Sequence, residues 1–167
     1  MASNRPLETV ALLQRLHASG VEFVIVGGVA AITHGSAVTT VDLDVCAPLT
    51  QENARSIIQA FADANPRWRM RPDLPVITVD DHHLVGIKNL YLATDFGQLD
   101  VLGELPDVCS YEDLAARSVQ VDFGELRCRL IDIDTLIAAK RQAGRSHDLR
   151  TIAFLEEIKR RQSGPQG

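Results

Sequence analysis

The sequence predicts an α+β fold, with a mixed β-sheet flanked by helices and followed by C-terminal helices. In the first half of the chain, helical apolar spacing alternates with short apolar runs that are typical of strands. In the middle, two Asp-Phe-Gly turns separate strand-like runs, as in β-hairpins. The segment at about 132–161 returns to helical spacing. Helices and strands in this irregular order favour an α+β domain over strict βαβ alternation.

Turn and capping residues set the boundaries of the first elements. Gly20 suits the end of the first helix, and Gly27-Gly28 interrupts an apolar run. Thr50 is a suitable N-cap, and Asn65-Pro66 ends the helix that it starts. The predicted elements are a helix at 6–18, a strand at 23–26, a short helix at 29–32, a strand at 41–45 and a helix at 51–64.

The second half of the chain is predicted from hairpin turns and helix caps. Glycine at the end of each Asp-Phe-Gly turn permits the positive φ that such turns require. Asp132 or Asp134 caps a helix that Gly144 ends. The predicted elements are a loop at 67–75, strands at 75–79, 90–94, 98–102, 118–121 and 125–130, and helices at 132–143 and 146–161.

Composition narrows the class of protein. The 167 residues are 46% apolar and 23% charged, which fits one globular domain over residues 1–167. Its core is predicted at about 20–130. The net charge of −5 argues against non-specific coating of nucleic acid. No run of 18 apolar residues and no apolar leader occurs, so we expect a cytoplasmic protein without membrane contact. The three cysteines are predicted to be reduced packing residues.

The most informative pattern is an Asp-x-Asp strand followed by a later single aspartate. Asp42 and Asp44 lie on the same face of their strand, and the residues between and beside them are apolar. Two close carboxylates repel unless a cation lies between them or one of them stays protonated. If the strand of Asp100 is a neighbour, three carboxylates meet, and such a set can hold one or two Mg²⁺ or Mn²⁺ ions. Gly27-Gly28 adds a turn without side chains, where a phosphate can approach the backbone.

These residues resemble the minimal nucleotidyltransferases of the DNA polymerase β superfamily. The run from Gly27-Gly28 through His34-Gly35 to Thr40-Val41-Asp42-Leu43-Asp44 is similar to the prokaryotic branch that includes abortive-infection toxin nucleotidyltransferases. In that branch a lysine helix and a Gly-Arg-x-x-Asp-Leu segment follow, which here match Lys140 and 144–149. The resemblance spans about residues 20–158. Val38 stands where members of the family often have arginine.

The resemblance implies transfer of a nucleoside monophosphate from a nucleoside triphosphate to an acceptor hydroxyl. Asp42, Asp44 and Asp100 would be the catalytic metal ligands for Mg²⁺ or Mn²⁺. An RNA acceptor, such as a tRNA end, is favoured over a protein or a small molecule, and an antitoxin protein is an expected partner if the chain is a toxin. The nucleotide-binding residues that it implies are Gly27, Gly28, His34, Thr40, Lys140 and Arg145.

Several alternatives stay open at this stage. The chain could be a non-catalytic module that binds a nucleotide or a partner, and His34 could simply bond a carbonyl at a helix end. Lys140 could be a solvated helix charge, and Arg145 could pair with Asp148. Three arginines interleaved with Trp68 fit either an RNA contact or a solvated loop. The tract 80–83 is predicted to be a solvated loop, because adjacent histidines lack the usual ligand spacing.

Overall fold

In the part of the chain that the structure describes, seven strands form one sheet, and strands from the middle of the chain lie beside strands from its beginning. The structure, a computed structural model, describes residues 5–165. The strands are β1 (Val24–Val26), β2 (Asp42–Cys46), β3 (Arg67–Trp68), β4 (Asn89–Thr94), β5 (Gly97–Leu102), β6 (Val119–Phe123) and β7 (Leu126–Leu130). Their order across the sheet is β3-β4-β5-β2-β1-β7-β6. The pairs β1–β7 and β2–β5 are parallel and the other pairs are antiparallel, so the predicted mixed sheet is confirmed.

Within residues 5–165, six helices flank this sheet, which fits the predicted fold class, and five of them correspond to predicted helices. They are α1 (Thr9–Ala18), α2 (Gly27–Thr33), α3 (Gln51–Ala60), α4 (Tyr111–Arg117), α5 (Ile133–Ala143) and α6 (Asp148–Ser163). Helix α1 packs on α3, α5 packs on α6, and α2 lies against β1 and β2 and reaches α5. The caps are as predicted: Thr50 Oγ1 accepts a hydrogen bond from Asn53 N, and Asp132 Oδ2 accepts one from Thr135 N.

Two of the predicted elements are wrong near β3. Residues 75–79 form no strand; instead Ile77 is buried at 2% exposure and its N–H donates to the Pro66 carbonyl at 2.8 Å. The apolar composition of this run reflects the burial of Ile77 in the core and not pairing with a neighbouring strand. The predicted loop at 67–75 instead begins with β3, where Arg67 and Trp68 pair with Ala93 and Leu92 of β4.

Further differences concern boundaries and one missed helix. The N-terminal helix begins at Thr9, and the helix predicted to reach residue 64 ends at Ala60 before a 3₁₀ turn. The second hairpin turns at Gly124, because Asp122 and Phe123 still pair with β7. Helix α4 was not predicted, although Ser110 accepts a hydrogen bond from Asp113 N at 3.2 Å in the usual N-cap manner.

The core lies on both faces of the central strands. Side chains of β1, β2 and β5 such as Ile25, Leu43 and Leu99 have no exposed surface. The three cysteines, predicted to be reduced and half-buried, are free thiols, but Cys46 and Cys128 are buried and Cys109 is half-buried. Between residues 5 and 165, no helix combines the length and the apolar character needed to cross a bilayer.

Candidate metal and nucleotide site

The sheet brings the three predicted aspartates together on one face. Strands β2 and β5 are parallel neighbours, with Asp44 opposite Asp100 and Asp42 opposite Gln98. Alternation along β2 leaves Leu43 fully buried on the opposite face. Each of the three aspartates offers a carboxylate oxygen within 4.8 Å of the others. The apolar residues of β2 therefore pack into the core on one face of the sheet, and the three carboxylates lie together on the other face.

Crowding and burial disfavour the charged form of these carboxylates. Burial, and then the charges of Asp42 and Asp100, raise the pKa of Asp44 to about 7, although nearby Arg69 and Arg145 lower it in part. Burial also raises the pKa of Asp100, which is only 7% exposed, against the opposing effect of Arg69. An added cation would relieve this repulsion directly.

The donor set fits a hard divalent cation. Three carboxylates supply oxygen ligands, the donor type that Mg²⁺ and Mn²⁺ prefer. Asp100 Oδ1 is buried and has no hydrogen-bond partner within the described chain, and such an orphaned acceptor is costly. A bound cation at this position would satisfy that oxygen.

The glycine turn packs directly against the carboxylates. Gly27 has φ +67°, and a Cβ at this position would overlap the carboxylate of Asp44. A Cβ on Gly28 would lie 2.7 Å from Thr40 Oγ1. Thr40 Oγ1 in turn donates to the carbonyl of Asp42 at 3.0 Å and lies 3.2 Å from its Oδ1. Both glycines are therefore required by space, and the turn, the threonine and the aspartates form one packed unit.

His34 lies at the end of α2 and is held by the backbone. Its Nε2 is 2.7 Å from the carbonyl oxygen of Ile131, which follows β7. This contact ties α2 to the start of the C-terminal helices and matches the structural alternative for this residue. Its predicted role in nucleotide binding stays a prediction.

Lys140 and Arg145 meet at a shared carboxylate. Lys140, 8% exposed, lies 3.0 Å from Asp148 Oδ1, and Arg145 Nε lies 2.9 Å from Asp148 Oδ2. Burial would raise the pKa of Asp148, but these two cations more than offset it and hold the pKa below its usual range. Lys140 is thus engaged in a buried pair, whereas Arg145 has a side chain that is 60% exposed and close enough to lower the pKa of Asp44.

Arg69 is a member of this site that the sequence did not identify. Its backbone N–H donates to the Tyr91 carbonyl, so it continues the pairing of β3 with β4. Its Nη2 donates to Asp100 Oδ2 at 2.7 Å, and its Nη1 lies 3.6 Å from Asp42 Oδ2. The alternating arginines at 67–71 were the available signal, but only the strand order shows which one faces the carboxylates.

A second group of possible ligands is occupied by local bonds. Asp81, His82 and His83 lie close together in the loop before β4. However, Asp81 Oδ1 accepts from His83 N at 2.9 Å, and Asp81 Oδ2 accepts from the Trp68 indole at 3.2 Å. These bonds tie the segment to itself and to β3, and His82–Leu84 forms a short 3₁₀ helix within the predicted solvated loop.

Comparisons with known proteins support the fold. No family model matches the chain. No curated protein matches it either. Among solved structures, it is similar to a "putative nucleotidyltransferase" from Thermotoga maritima, with 16% identity over 94% of this chain and 99% of that one and a TM-score of 0.53. At this identity the likeness shows the fold alone: the chain has a nucleotidyltransferase-like mixed sheet with flanking helices.

Proposed function

We propose that the protein is a divalent-metal-dependent nucleotidyltransferase. It would move a nucleoside monophosphate from a nucleoside triphosphate to an acceptor hydroxyl and release pyrophosphate. The observation that carries this proposal is the convergence of Asp42, Asp44 and Asp100, whose ligand atoms lie within 4.8 Å of one another on a nucleotidyltransferase-like sheet. Mg²⁺ is the ion that we favour, with Mn²⁺ as its usual substitute.

Each residue has a distinct task in this proposal. Asp42 and Asp44 would hold the metal, which when bound neutralises charge on the triphosphate and acidifies the acceptor hydroxyl. Asp100, whose Oδ1 has no other partner, would bind the metal on the acceptor side of the site and in this way help to deprotonate the acceptor hydroxyl. Most of the rate enhancement would come from position and electrostatics.

The surroundings of the carboxylates supply the nucleotide contacts in this proposal. Gly27 and Gly28 pack directly against Asp44 and Thr40, so a phosphate bound at Asp44 would lie next to the backbone of this turn. Arg145 is exposed and near Asp44, so it is the better placed of the two predicted cations to meet a triphosphate. Lys140 would act on the nucleotide only through Asp148.

We favour RNA as the acceptor, in particular a tRNA end, and a toxin role with a cognate antitoxin. This part rests on the sequence resemblance to abortive-infection toxin nucleotidyltransferases. Several basic residues of α5 and α6 form ion pairs between the two helices, for example Arg141 of α5 with Glu156 of α6 and Lys159 of α6 with Asp134 of α5. Those helices therefore add little to RNA attraction, and Arg67, which is exposed on β3 of the same sheet, is the more relevant charge.

A label-transfer assay tests the proposal. The full chain is incubated with each α-³²P-labelled nucleoside triphosphate, Mg²⁺ and total cellular RNA, and labelled products are separated as RNA, protein or small molecule. We expect labelled RNA, loss of labelling in Asp44→Asn, and unchanged labelling in Asp134→Asn. The control removes an exposed acid in the first turn of α5, where Asp132-Ile133-Asp134 repeats the Asp-x-Asp pattern outside the carboxylate cluster. Full activity of Asp44→Asn would refute the proposal. Label in protein instead of RNA would identify a protein as the acceptor.

A non-catalytic module is the second candidate. Val38, which stands where the resembling family often has arginine, packs against the hydrophobic core and supplies no charge to the site. Titration calorimetry with ATP and Mg²⁺, combined with a pyrophosphate assay, separates the candidates. A module would bind the nucleotide and release no pyrophosphate with any acceptor.

A further inference from the structure

One row of side chains on the carboxylate face of the sheet runs from β2 through β5 and β4 to Arg69, the residue that follows β3. Arg69 lies opposite Tyr91, Tyr91 opposite Asp100, and Asp100 opposite Asp44. The guanidinium of Arg69 lies 5.5 Å from the centre of the Tyr91 ring and continues to Asp100. The register of the sheet thus directs a cation from the edge strand into the centre of the acidic site.

Arg69 bridges groups that belong to two different strands. It bonds Asp100 and Gln98 of β5 and approaches Asp42 of β2. Its side chain is 18% exposed and that of Asp100 is 10% exposed, so the ion pair is largely shielded from solvent. A pair in this environment is screened much less than a surface pair, and its charge acts strongly on the neighbouring carboxylates.

The hydrogen bonds of Asp100 show which of its carboxylate oxygens Arg69 leaves free to bind a metal ion. Oδ2 accepts from Arg69, whereas the buried Oδ1 is orphaned. A metal ion and Arg69 can therefore share this carboxylate through different oxygens. Both cations are nevertheless attracted by the same negative charge, and they repel each other because they lie close together.

We propose that Arg69 is the built-in counter-ion of the carboxylate site: it holds Asp42 and Asp100 together without metal, and it weakens the binding of a divalent ion. This inference rests on the proposed function, because it concerns the same site. Without Arg69, the three aspartates would bind the ion more tightly on their own. With it, the free protein binds the ion weakly, and a triphosphate, which brings further negative charge, restores the affinity.

Direct Mn²⁺ binding to the metal-stripped full chain tests this role without any activity measurement. Free Mn²⁺ is followed by its EPR signal, in the presence and absence of ATP. We expect Arg69→Gln to bind Mn²⁺ about tenfold more tightly than wild type without ATP, since a nearby positive charge is removed. Arg71→Gln is the matched control, because Arg71 pairs with exposed Asp73 beyond the site, and we expect less than a twofold change.

The outcomes separate this inference from the proposed function. If the folded Arg69→Gln protein binds Mn²⁺ as wild type does, or more weakly, the inference is overturned although the metal site stands. If neither wild type nor Arg69→Gln binds Mn²⁺ with or without ATP, the proposed function falls and the inference falls with it. Arg69→Lys keeps the charge, and a tenfold tightening in that variant also overturns the electrostatic argument.

A measurement on the wild-type protein covers the case in which Arg69→Gln does not fold. The guanidinium N–H signals of Arg69, assigned by their loss in Arg69→Lys, are recorded by NMR. We expect restricted, slowly exchanging signals in the metal-free protein and a shift on addition of Mg²⁺ with ATP. A freely rotating guanidinium in the metal-free protein would contradict the proposed bridge.

Discussion

Replacement of Lys140 by methionine separates a structural role of this residue from a direct role in nucleotide binding. Lys140 Nζ lies 3.0 Å from Asp148 Oδ1, and the two side chains are 10% and 5% exposed. Methionine preserves most of the apolar stem and removes the charge. The variant leaves a buried carboxylate whose remaining close cation is Arg145, on a side chain that is 60% exposed.

The expected cost follows from the burial of the pair. Removal of one partner of a buried ion pair typically costs about 3–5 kcal/mol, because the other charge stays buried without compensation. Arg145 still bonds Asp148, so we expect a value near the lower end, about 3 kcal/mol at pH 7. Lys140→Met combined with Asp148→Leu removes both buried charges and should recover most of this loss.

The pH dependence has a defined sign. In wild type, the pairing with Lys140 and Arg145 outweighs burial and lowers the pKa of Asp148, so its stabilisation is present above about pH 4 and is lost as the pH falls through the folded pKa. Lys140→Met raises that pKa. The variant can then take up a proton at acidic pH and avoid the buried charge, so its deficit shrinks between pH 7 and about pH 4.

Urea unfolding at pH 7 and pH 4 measures both effects. A free energy of unfolding of Lys140→Met equal to that of wild type at pH 7, or a double variant less stable than the single one, would refute the reasoning. Nucleotide binding by the double variant adds a second test. If it folds with wild-type stability and still binds ATP as wild type does, Lys140 does not have the direct role that the family resemblance implies.

Three further predictions concern the glycine turn, the acidic cluster and a helix cap. Gly27→Ala should lower the free energy of unfolding by about 3 kcal/mol and weaken Mn²⁺ binding, because the added Cβ displaces Asp44. Gly20 has φ +75° and open space around it, so Gly20→Ala should lower the free energy of unfolding by only about 1 kcal/mol in the same urea titration. Asp44→Asn should raise the free energy of unfolding of the metal-free protein by about 1–2 kcal/mol in EDTA, since it relieves carboxylate repulsion. An unchanged or lower free energy of unfolding would contradict this prediction. Asp132→Ala should lower the free energy of unfolding by about 1 kcal/mol through loss of the α5 cap, whereas Asp134→Ala should change it by less than about 0.5 kcal/mol.

Part of the geometry of the acidic cluster could be predicted, because it depends on local patterns. Alternation places Asp42 and Asp44 on one face whatever the rest of the sheet does. A glycine pair before a short helix signals close approach of another group, which proved to be Asp44 and Thr40. The position of Asp100 was conditional, because parallel pairing of β2 and β5 joins segments more than fifty residues apart along the chain.

Arg69 and Lys140 show where sequence patterns are insufficient. The alternation of arginines at 67–71 is the same for a solvated loop and for an edge strand, and only the neighbour of that strand gives Arg69 its partners. Helical spacing cannot tell whether a lysine faces solvent or a carboxylate on the next helix. The fold of α6 against α5 buries Lys140 beside Asp148, so a residue predicted to meet a nucleotide is also part of the core.

The sequence by itself determined the α+β class, the hairpins, the helix caps and the Asp-x-Asp face, since all of these follow from contacts between residues near one another along the chain. The tertiary structure alone decided that β5 lies beside β2, that an edge-strand arginine reaches their carboxylates, and that α6 takes Lys140 out of solvent. These features arise from packing between distant segments, and the free energy of such packing depends on the whole sheet rather than on any local run of residues.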